Sequence, residues 1–376
     1  MSLSNPKKFS FVMIGRGVSS GLQVVFYLLF AVLLDPQSYG DLNYLIALTA
    51  TFSIVFRFGL NHSVTVFQAK KNTSLTNNIN ILALITISAA SIILLTFDMF
   101  AALLCFGMSL FTMNMHNLLG LKKYKKNMML EITRAILVIS IPVGLFFVLE
   151  IPGIVLGMAI SYLVCSFNFF KTISFKQNFF EDIKNNFKVL FHNFGVEFST
   201  YAPRFVDKLV IFPVLGSTTL GIYQLNIQIL FGLEILPIAI HSFLLSEESN
   251  KNKHKKIISI VIIASIFIAI LSALVSPFFI DEFFPKYAEG KTSLQILVFS
   301  IIPLTISAII SAKLQASEST LVGYSGIVRV GSLLILIAIL GSMFDLIGLA
   351  ISVLLSTVFY SVFLYVLLIK SSKTIQ

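Results

Sequence analysis

The sequence predicts an all-α integral membrane protein with about twelve transmembrane helices, arranged as two six-helix bundles related by a parallel pseudo-two-fold repeat. Three observations lead there. Of the 376 residues, 57% are hydrophobic and only 12% charged, with a mean hydropathy of +0.93, which is too apolar for a soluble globular chain. Apolar runs of about 20 residues, enough for a helix to cross the hydrocarbon core, follow one another along the whole chain. The loop Leu34-Asp-Pro-Gln-Ser-Tyr-Gly40 returns at an offset of 181 residues as Leu215-Gly-Ser-Thr-Thr-Leu-Gly221, with its length and both ends kept.

The spans fall near residues 10–34, 42–67, 79–97, 99–119, 129–149, 153–170, 194–215, 220–245, 257–280, 292–313, 321–341 and 347–369. They set an N-terminal bundle over 1–172, an amphipathic connector over 173–193 and a C-terminal bundle over 194–376. Lys7 and Lys8 precede an apolar run, as in a signal peptide, but the run is long and no small-residue cleavage site ends it, so the first span is expected to be retained. Orientation follows from the lysines. Lys7, Lys8, Lys70, Lys71, Lys122, Lys123, Lys125, Lys126, Lys171, Lys176, Lys184, Lys188, Lys251, Lys253, Lys255, Lys256, Lys313, Lys370 and Lys373 fall on one side, against Lys286 and Lys291 on the other. The first side, with both termini, is expected to be cytoplasmic. The net charge of +10 is then a topology signal, since lysines scattered over separate short loops do not form a nucleic-acid surface. Cys105 and Cys165 lie within spans and suggest neither a disulfide framework nor a metal cluster.

Taken in order, the first span carries Arg16, Ser20, Gln23 and Tyr27 on one face, and the second carries Ser53, Arg57 and Asn61 on one face. The early Arg16, the leucine-rich end running into Leu34-Asp-Pro-Gln-Ser-Tyr-Gly40, and the helix closing on Phe58-Gly59-Leu60 resemble the opening of the Wzx-like polysaccharide flippases. Those are lipid-linked oligosaccharide transporters of the multidrug/oligosaccharidyl-lipid/polysaccharide exporter superfamily. The close match covers about the first 70 residues, and the two-lobe plan extends it more loosely over the rest.

The third and fourth spans hold few charges, and Met113, Met115 and the phenylalanines there read as packing. Glu131 and Arg134 open the fifth span one helical turn apart, placed to neutralise each other. Arg134 precedes Glu150 by sixteen residues just as Arg329 precedes Asp345, and Gly157-Met-Ala-Ile-Ser161 reappears as Gly348-Leu-Ala-Ile-Ser352, so the last two spans echo the fifth and sixth. In the connector, Phe179, Ile183, Phe187 and Leu190 line one side and Lys176, Lys184 and Lys188 the other, the pattern of a helix on the cytoplasmic membrane surface.

The seventh span is the most charged. Glu197, Tyr201, Arg204 and Lys208 form one stripe with Asp207 beside it, and the offset of 181 carries the stripe onto that of the first span. A charge at mid-membrane costs on the order of 3 kcal/mol, so these side chains should face protein or water instead of lipid. Glu197 and Arg204, seven apart, are expected to couple. In the eighth span, Glu234 shares a face with Tyr223 and His241 and reads equally as the partner of an arginine or as an ion-coupling site.

In a transporter built from two similar bundles the site lies between them near the midplane, here centred on spans one and seven with spans two and eight as walls. The substrate-binding candidates are Arg16, Gln23, Arg57, Glu197, Arg204 and Lys208, and the ion-coupling candidates are Asp207 and Glu234. The planar fork of arginine suits phosphate, so the residues alone point to an anion-compatible cavity. The resemblance implies the rest. It implies an alternating-access flippase that moves an oligosaccharide linked to polyprenyl phosphate or pyrophosphate from the cytoplasmic to the outer leaflet of the cell membrane. It places the chain in polysaccharide biosynthesis, with membrane lipid and glycan-assembly proteins as partners. No cofactor is implied beyond a coupling ion, H⁺ or Na⁺.

Rival classes fit less well. A multidrug antiporter of the same superfamily would want a carboxylate in the first bundle, where Glu131 near the rim is the candidate. A facilitator-type sugar transporter would carry a Gly-, Asp- and Arg-rich loop after span two, which Gln68-Ala-Lys-Lys-Asn-Thr does not resemble. A membrane glycosyltransferase or polymerase would need larger outer loops. No phosphate-cradling glycine loop, metal-ligand spacing or nucleophile elbow appears in the sequence, so an enzyme is not expected.

Overall fold

The computed structural model describes residues 6–174, 179–248, 255–316 and 325–374, and the regular structure among them is all helical. The α-helices are α1 (Pro6–Leu33), α2 (Pro36–Arg57), α3 (Leu60–Ala69), α4 (Thr73–Leu95), α5 (Met99–Gly120), α6 (Tyr124–Ser166) and α7 (Phe179–Tyr201). They continue as α8 (Val206–Leu233), α9 (Ile235–Glu248), α10 (Lys255–Phe283), α11 (Lys291–Leu297), α12 (Ile301–Ala316), α13 (Ser325–Leu336) and α14 (Ser342–Thr374). Nine helical stretches among the described residues are long and apolar enough to cross a membrane. Large apolar side chains such as Ile263, Leu274 and Phe278 on α10 are exposed, as lipid-facing positions require. The chain is a multi-pass membrane protein. Lys176, Lys251, Lys253 and the first residues of the expected span 321–341 lie outside the described residues.

Three of the nine stretches contain one residue with positive φ: Glu150 (φ 54°, ψ −135°), Gly216 (φ 83°, ψ 175°) and Asp345 (φ 47°, ψ −129°). At each, the chain doubles back on itself. A Cβ on Gly157 would lie 2.6 Å from Pro142 Cα, and one on Gly153 would overlap the carbonyl of Leu145. A Cβ on Gly348 would overlap the carbonyl of Leu340, and the Tyr223 hydroxyl donates to Asp207 at 2.8 Å across the Gly216 turn. The near-equal angles at Glu150 and Asp345 fall on the two residues that the sixteen-residue spacing pairs. The glycines correspond differently from the sequence match. Gly153 and Gly348 each stand three residues past the turn and pack on the preceding arm, so Gly348 answers to Gly153. The Gly157–Gly348 likeness is one helical turn out of register, because small residues recur every turn wherever two helices pack this closely.

By contact the chain forms two compact units, residues 1–26 with 45–202 and residues 27–44 with 203–376. The core of the first unit gathers Leu60, Ile79, Ile87, Leu110 and Met113, with Phe169 and Leu190 joining from further along the chain. Buried Asn80 and Asn117 exchange side-chain hydrogen bonds at 3.2 and 3.0 Å and tie α4 to α5. The Phe-Gly-Leu sequence has a mechanical role here. Phe58 and Gly59 take positive φ (50° and 68°) and break α2 from α3. Gly59 then admits the backbone of α7, since a Cβ there would overlap Phe194 N, while the Phe58 ring stacks on that of Phe194 with centroids 4.7 Å apart. Ile183 and Leu190 pack on the core, and Asn78 donates to Asp182 at 2.7 Å. Ile183 and Leu190 of the connector's apolar side are therefore covered by protein, while Phe187 of the same side is exposed, as are Phe180 and Phe191 beside it. Moreover α7 runs unbroken from Phe179 to Tyr201, so the connector and the start of the expected seventh span are one helix.

The second unit includes the chain from Tyr27 to Tyr44 because of close backbone approach. Gly40 and Gly221, the final residues of the repeated loop, face each other. A Cβ on Gly40 would overlap the Ser217 carbonyl and stand 3.0 Å from Gly221 N, while one on Gly221 would overlap the Pro36 carbonyl and stand 3.0 Å from Gly40 N. Ser217 donates to Asp41 at 2.6 Å beside them. Fully buried Tyr39 meets Tyr287 edge-on at 5.9 Å and donates to the Tyr27 carbonyl at 3.2 Å.

Candidate functional site

In the first unit, the α2–α3 break and the docking of α7 bring Arg57 against Glu197. Arg57 donates from Nε at 3.1 Å and from a terminal nitrogen at 2.5 Å to Glu197 Oε1, and from its other terminal nitrogen to Ser53, which in turn hydrogen-bonds Ser109 at 2.7 Å. Both charges are buried, Arg57 at 5% exposure and Glu197 at 0%. A buried ion pair persists only where geometry and extra hydrogen bonds offset desolvation, and Ser53 supplies part of that here. A second cluster sits at Arg134, whose guanidinium lies 5.5 Å from the Phe111 ring centroid and 5.3 Å from that of Tyr162. It donates to Ser19 and pairs with Glu131 at 3.8 Å. The Glu131–Arg134 neutralisation read from the sequence is thus present, within a wider aromatic cage.

In the second unit, Lys208 is compensated by its own neighbour. Its ammonium lies 3.0 and 3.2 Å from the Asp207 carboxylate oxygens and 2.8 Å from the Arg204 carbonyl, and Asp207 accepts in addition from Tyr223. Both members are buried, at 3% and 4% exposure. Arg204 is exposed, with its guanidinium 5.6 Å from the Phe231 ring centroid. Glu234 sits at the break between α8 and α9 and lines a cavity of about 240 Å³ with His241, Arg329, Tyr360, Ser307 and Ser311. Arg329 and Arg204 are the charges that act on it. Tyr223, read from the sequence as sharing its face, donates to Asp207 across the hairpin.

The stripe Glu197–Tyr201–Arg204–Lys208 does not survive as one face. A 3₁₀ turn at Ala202–Arg204, carrying Pro203, ends α7, so helical periodicity cannot be extended across it. Glu197 belongs to the first unit and pairs with Arg57, while Arg204, Asp207 and Lys208 belong to the second. The expected Glu197–Arg204 pairing is therefore replaced by Glu197–Arg57. On α1, Arg16, Ser20 and Gln23 are exposed but Tyr27 is buried, and it is the neighbouring Ser19 that meets Arg134. Among the described residues neither Arg16 nor Arg204 has a carboxylate within ion-pair distance. The two cysteines are free and buried, and no cluster of metal-ligating side chains occurs among the described residues.

The sequence profile of the family described as polysaccharide biosynthesis protein matches residues 6–242. The chain belongs to that family. Its fold is also seen in solved structures of low sequence identity. The lipid II flippase MurJ, in an inward closed conformation, superimposes with a TM-score of 0.76 at 16% identity, over 94% of this chain and 86% of that one. An inward-facing multidrug resistance MATE family transporter gives 0.68 at 11% identity, over 96% and 98%. In sequence, an uncharacterised membrane protein of Methanocaldococcus jannaschii is 25% identical over 81% of this chain and 83% of its own.

Several polar residues of this chain escaped sequence reasoning. His62 and His116 meet in the first unit, their ring centroids 5.0 Å apart, and Arg329 lies over Tyr360 in the second. The clue for the histidines was Asn61 and His62 directly following Phe-Gly-Leu, but nothing in the sequence placed His116 of α5 beside them. Arg329 was marked only as a repeat mate of Arg134, and each proves to lie over a tyrosine ring.

Proposed function

We propose that this protein is an alternating-access flippase that moves an oligosaccharide linked to polyprenyl phosphate or pyrophosphate from the cytoplasmic to the outer leaflet of the cell membrane. The observation that carries this reading is that Arg16 on α1 of the first unit and Arg204 in the 3₁₀ turn of the second are each exposed within an apolar stretch and without an ion pair among the described residues. Such a charge needs a counter-ion, and the phosphate of a lipid-linked sugar supplies one in the planar geometry a guanidinium prefers. Membership of a polysaccharide biosynthesis family and likeness to a lipid II flippase support the same substrate class. Nine apolar stretches, three of them doubling back, support a reading of twelve passes in two repeated six-helix bundles, for which the lysine asymmetry favours cytoplasmic termini. In the first unit Gln23 stands on the exposed side of α1 with Arg16, while Arg57 is held by Glu197, and in the second unit Glu234 is the remaining candidate for ion coupling. Lys208, compensated by Asp207, holds the start of α8. The protein carries substrate and does not transform it.

The test is translocation of a lipid-linked oligosaccharide by reconstituted protein. Arg16→Gln and Arg204→Gln should abolish transport while keeping wild-type thermal stability. Normal transport in both stable variants overturns the phosphate role, and sugar transfer by the purified protein overturns the transporter reading.

A further inference from the structure

Lysines in the short connections of a membrane protein are ordinarily a topology signal. In the first unit, however, four of them surround one cavity. Lys122, Lys123, Lys125 and Lys126 line a space of about 580 Å³, a volume typical of small-ligand sites. Among the described residues none of the four has a carboxylate within ion-pair distance. The rest of the lining is apolar and aromatic, with Phe11 on α1 and with Tyr124 and the exposed Met129 on α6.

Packing fixes these walls. Lys122 takes positive φ (58°) and turns the chain from α5 into α6, and the amides of Lys122 and Lys123 donate back to the Leu119 and Leu118 carbonyls, each at 2.9 Å. On the other side α1 lies against α6. A Cβ on Gly15 would stand 3.0 Å from Met128 Cα, and Ser19, one turn further along α1, accepts from Arg134. Phe11, one turn before Gly15, is thereby held beside the α5–α6 turn. Three apolar stretches begin or end at this level, Ser10–Leu33, Met99–Gly120 and Tyr124–Thr172, so the cavity stands at the edge of the hydrocarbon layer.

We propose that this cavity binds one acidic phospholipid, its phosphate held by the four lysines and the start of its acyl chains lying along Phe11, Tyr124 and Met129. Basic pockets between membrane helices recognise headgroups of this kind. Cations above an apolar floor at the membrane edge match an amphiphile. Free phosphate would leave the apolar part unused, and a zwitterionic lipid would bring its own ammonium against four others. Bound there, the lipid joins α1 to the α5–α6 turn. Bilayer lipid is expected around the whole molecule, whereas this site selects one headgroup charge at one place, and it is independent of the flippase reading.

The test uses the absence of tryptophan from the chain. Phe11→Trp gives the full-length protein a single fluorophore, in phosphatidylcholine nanodiscs into which dibrominated phosphatidylglycerol or dibrominated phosphatidylcholine is titrated. The acidic lipid should reach half-maximal quenching at a mole fraction at least about fivefold lower, roughly what one lysine near a membrane surface contributes. The preference should disappear in Lys122→Gln/Lys123→Gln/Lys125→Gln/Lys126→Gln. It should persist in Lys70→Gln/Lys71→Gln, which changes the α3–α4 turn, where Lys71 has the matching φ of 59° but does not line the cavity. Met129→Trp, at an exposed position, repeats the measurement should Phe11→Trp fail to fold. Equal quenching by the two lipids, or a preference lost as fully in the Lys70→Gln/Lys71→Gln variant, overturns the site. Displacement of the brominated acidic lipid by millimolar inorganic phosphate shows a free-anion site and overturns the phospholipid.

Discussion

Removing Glu197 alone should damage this protein more than removing Glu197 and Arg57 together. Arg57 makes two hydrogen bonds to the carboxylate and one to Ser53, and the pair is almost wholly sealed from solvent. In Glu197→Leu the guanidinium keeps only the serine hydroxyl, and an uncompensated buried charge of this kind costs about 3–5 kcal/mol. In Glu197→Leu/Arg57→Met no charge is left to strand, and an apolar replacement of a buried pair is often neutral or even stabilising. The cycle should therefore show a coupling of about 2 kcal/mol or more. Equilibrium unfolding in mixed micelles, titrated with SDS and followed by circular dichroism, measures it. The matching cycle for Glu197 and Arg204 should be additive within about 0.5 kcal/mol, because Arg204 is held over Phe231 and takes no part in the pair. Additivity for Glu197 with Arg57, or coupling for Glu197 with Arg204, would refute this account of the first unit.

Further outcomes follow from the backbone and the loops. Gly40→Ala sets a methyl into the Ser217 carbonyl, so the two segments must separate, and a disulfide engineered between Asp41→Cys and Ser217→Cys should form more slowly in its presence; an unchanged rate would mean the close approach is not kept in the membrane. Glu150→Gly and Asp345→Gly relieve positive φ at exposed turns and should each raise stability by about 1 kcal/mol, read as a later SDS midpoint, whereas a loss would show that the carboxylates do more than occupy the turn. The Ser38 amide, with its hydroxyl, holds the Asp35 carboxyl below its ordinary value, so the capping contribution is present above the unfolded carboxylate value and is lost as pH falls through the lowered folded one. The stability difference between wild type and Asp35→Asn should accordingly be present at neutral pH and vanish on acidification below about pH 4.

The sequence by itself determined the class of molecule, the apolar stretches of the chain and the breaks near Glu150, Gly216 and Asp345. These depend on local composition, on apolar run length and on spacing along one helix, which survive without knowledge of the partners. The Glu150 and Asp345 turns were legible for that reason, as was the Phe58-Gly59-Leu60 signature, although not its purpose. Only the tertiary structure decided which charges meet. A seven-residue spacing joined Glu197 to Arg204 on paper, but the 3₁₀ turn at Ala202–Arg204 ends the helix that the spacing assumes. Glu197 goes instead to Arg57, 140 positions earlier in the chain, because the missing side chain of Gly59 lets α7 lie against the α2–α3 break. The same holds for His62 with His116 and for Glu234 with Arg329. Periodicity fixes which side of a helix a residue occupies, and the close packing of separate helices fixes what stands opposite it.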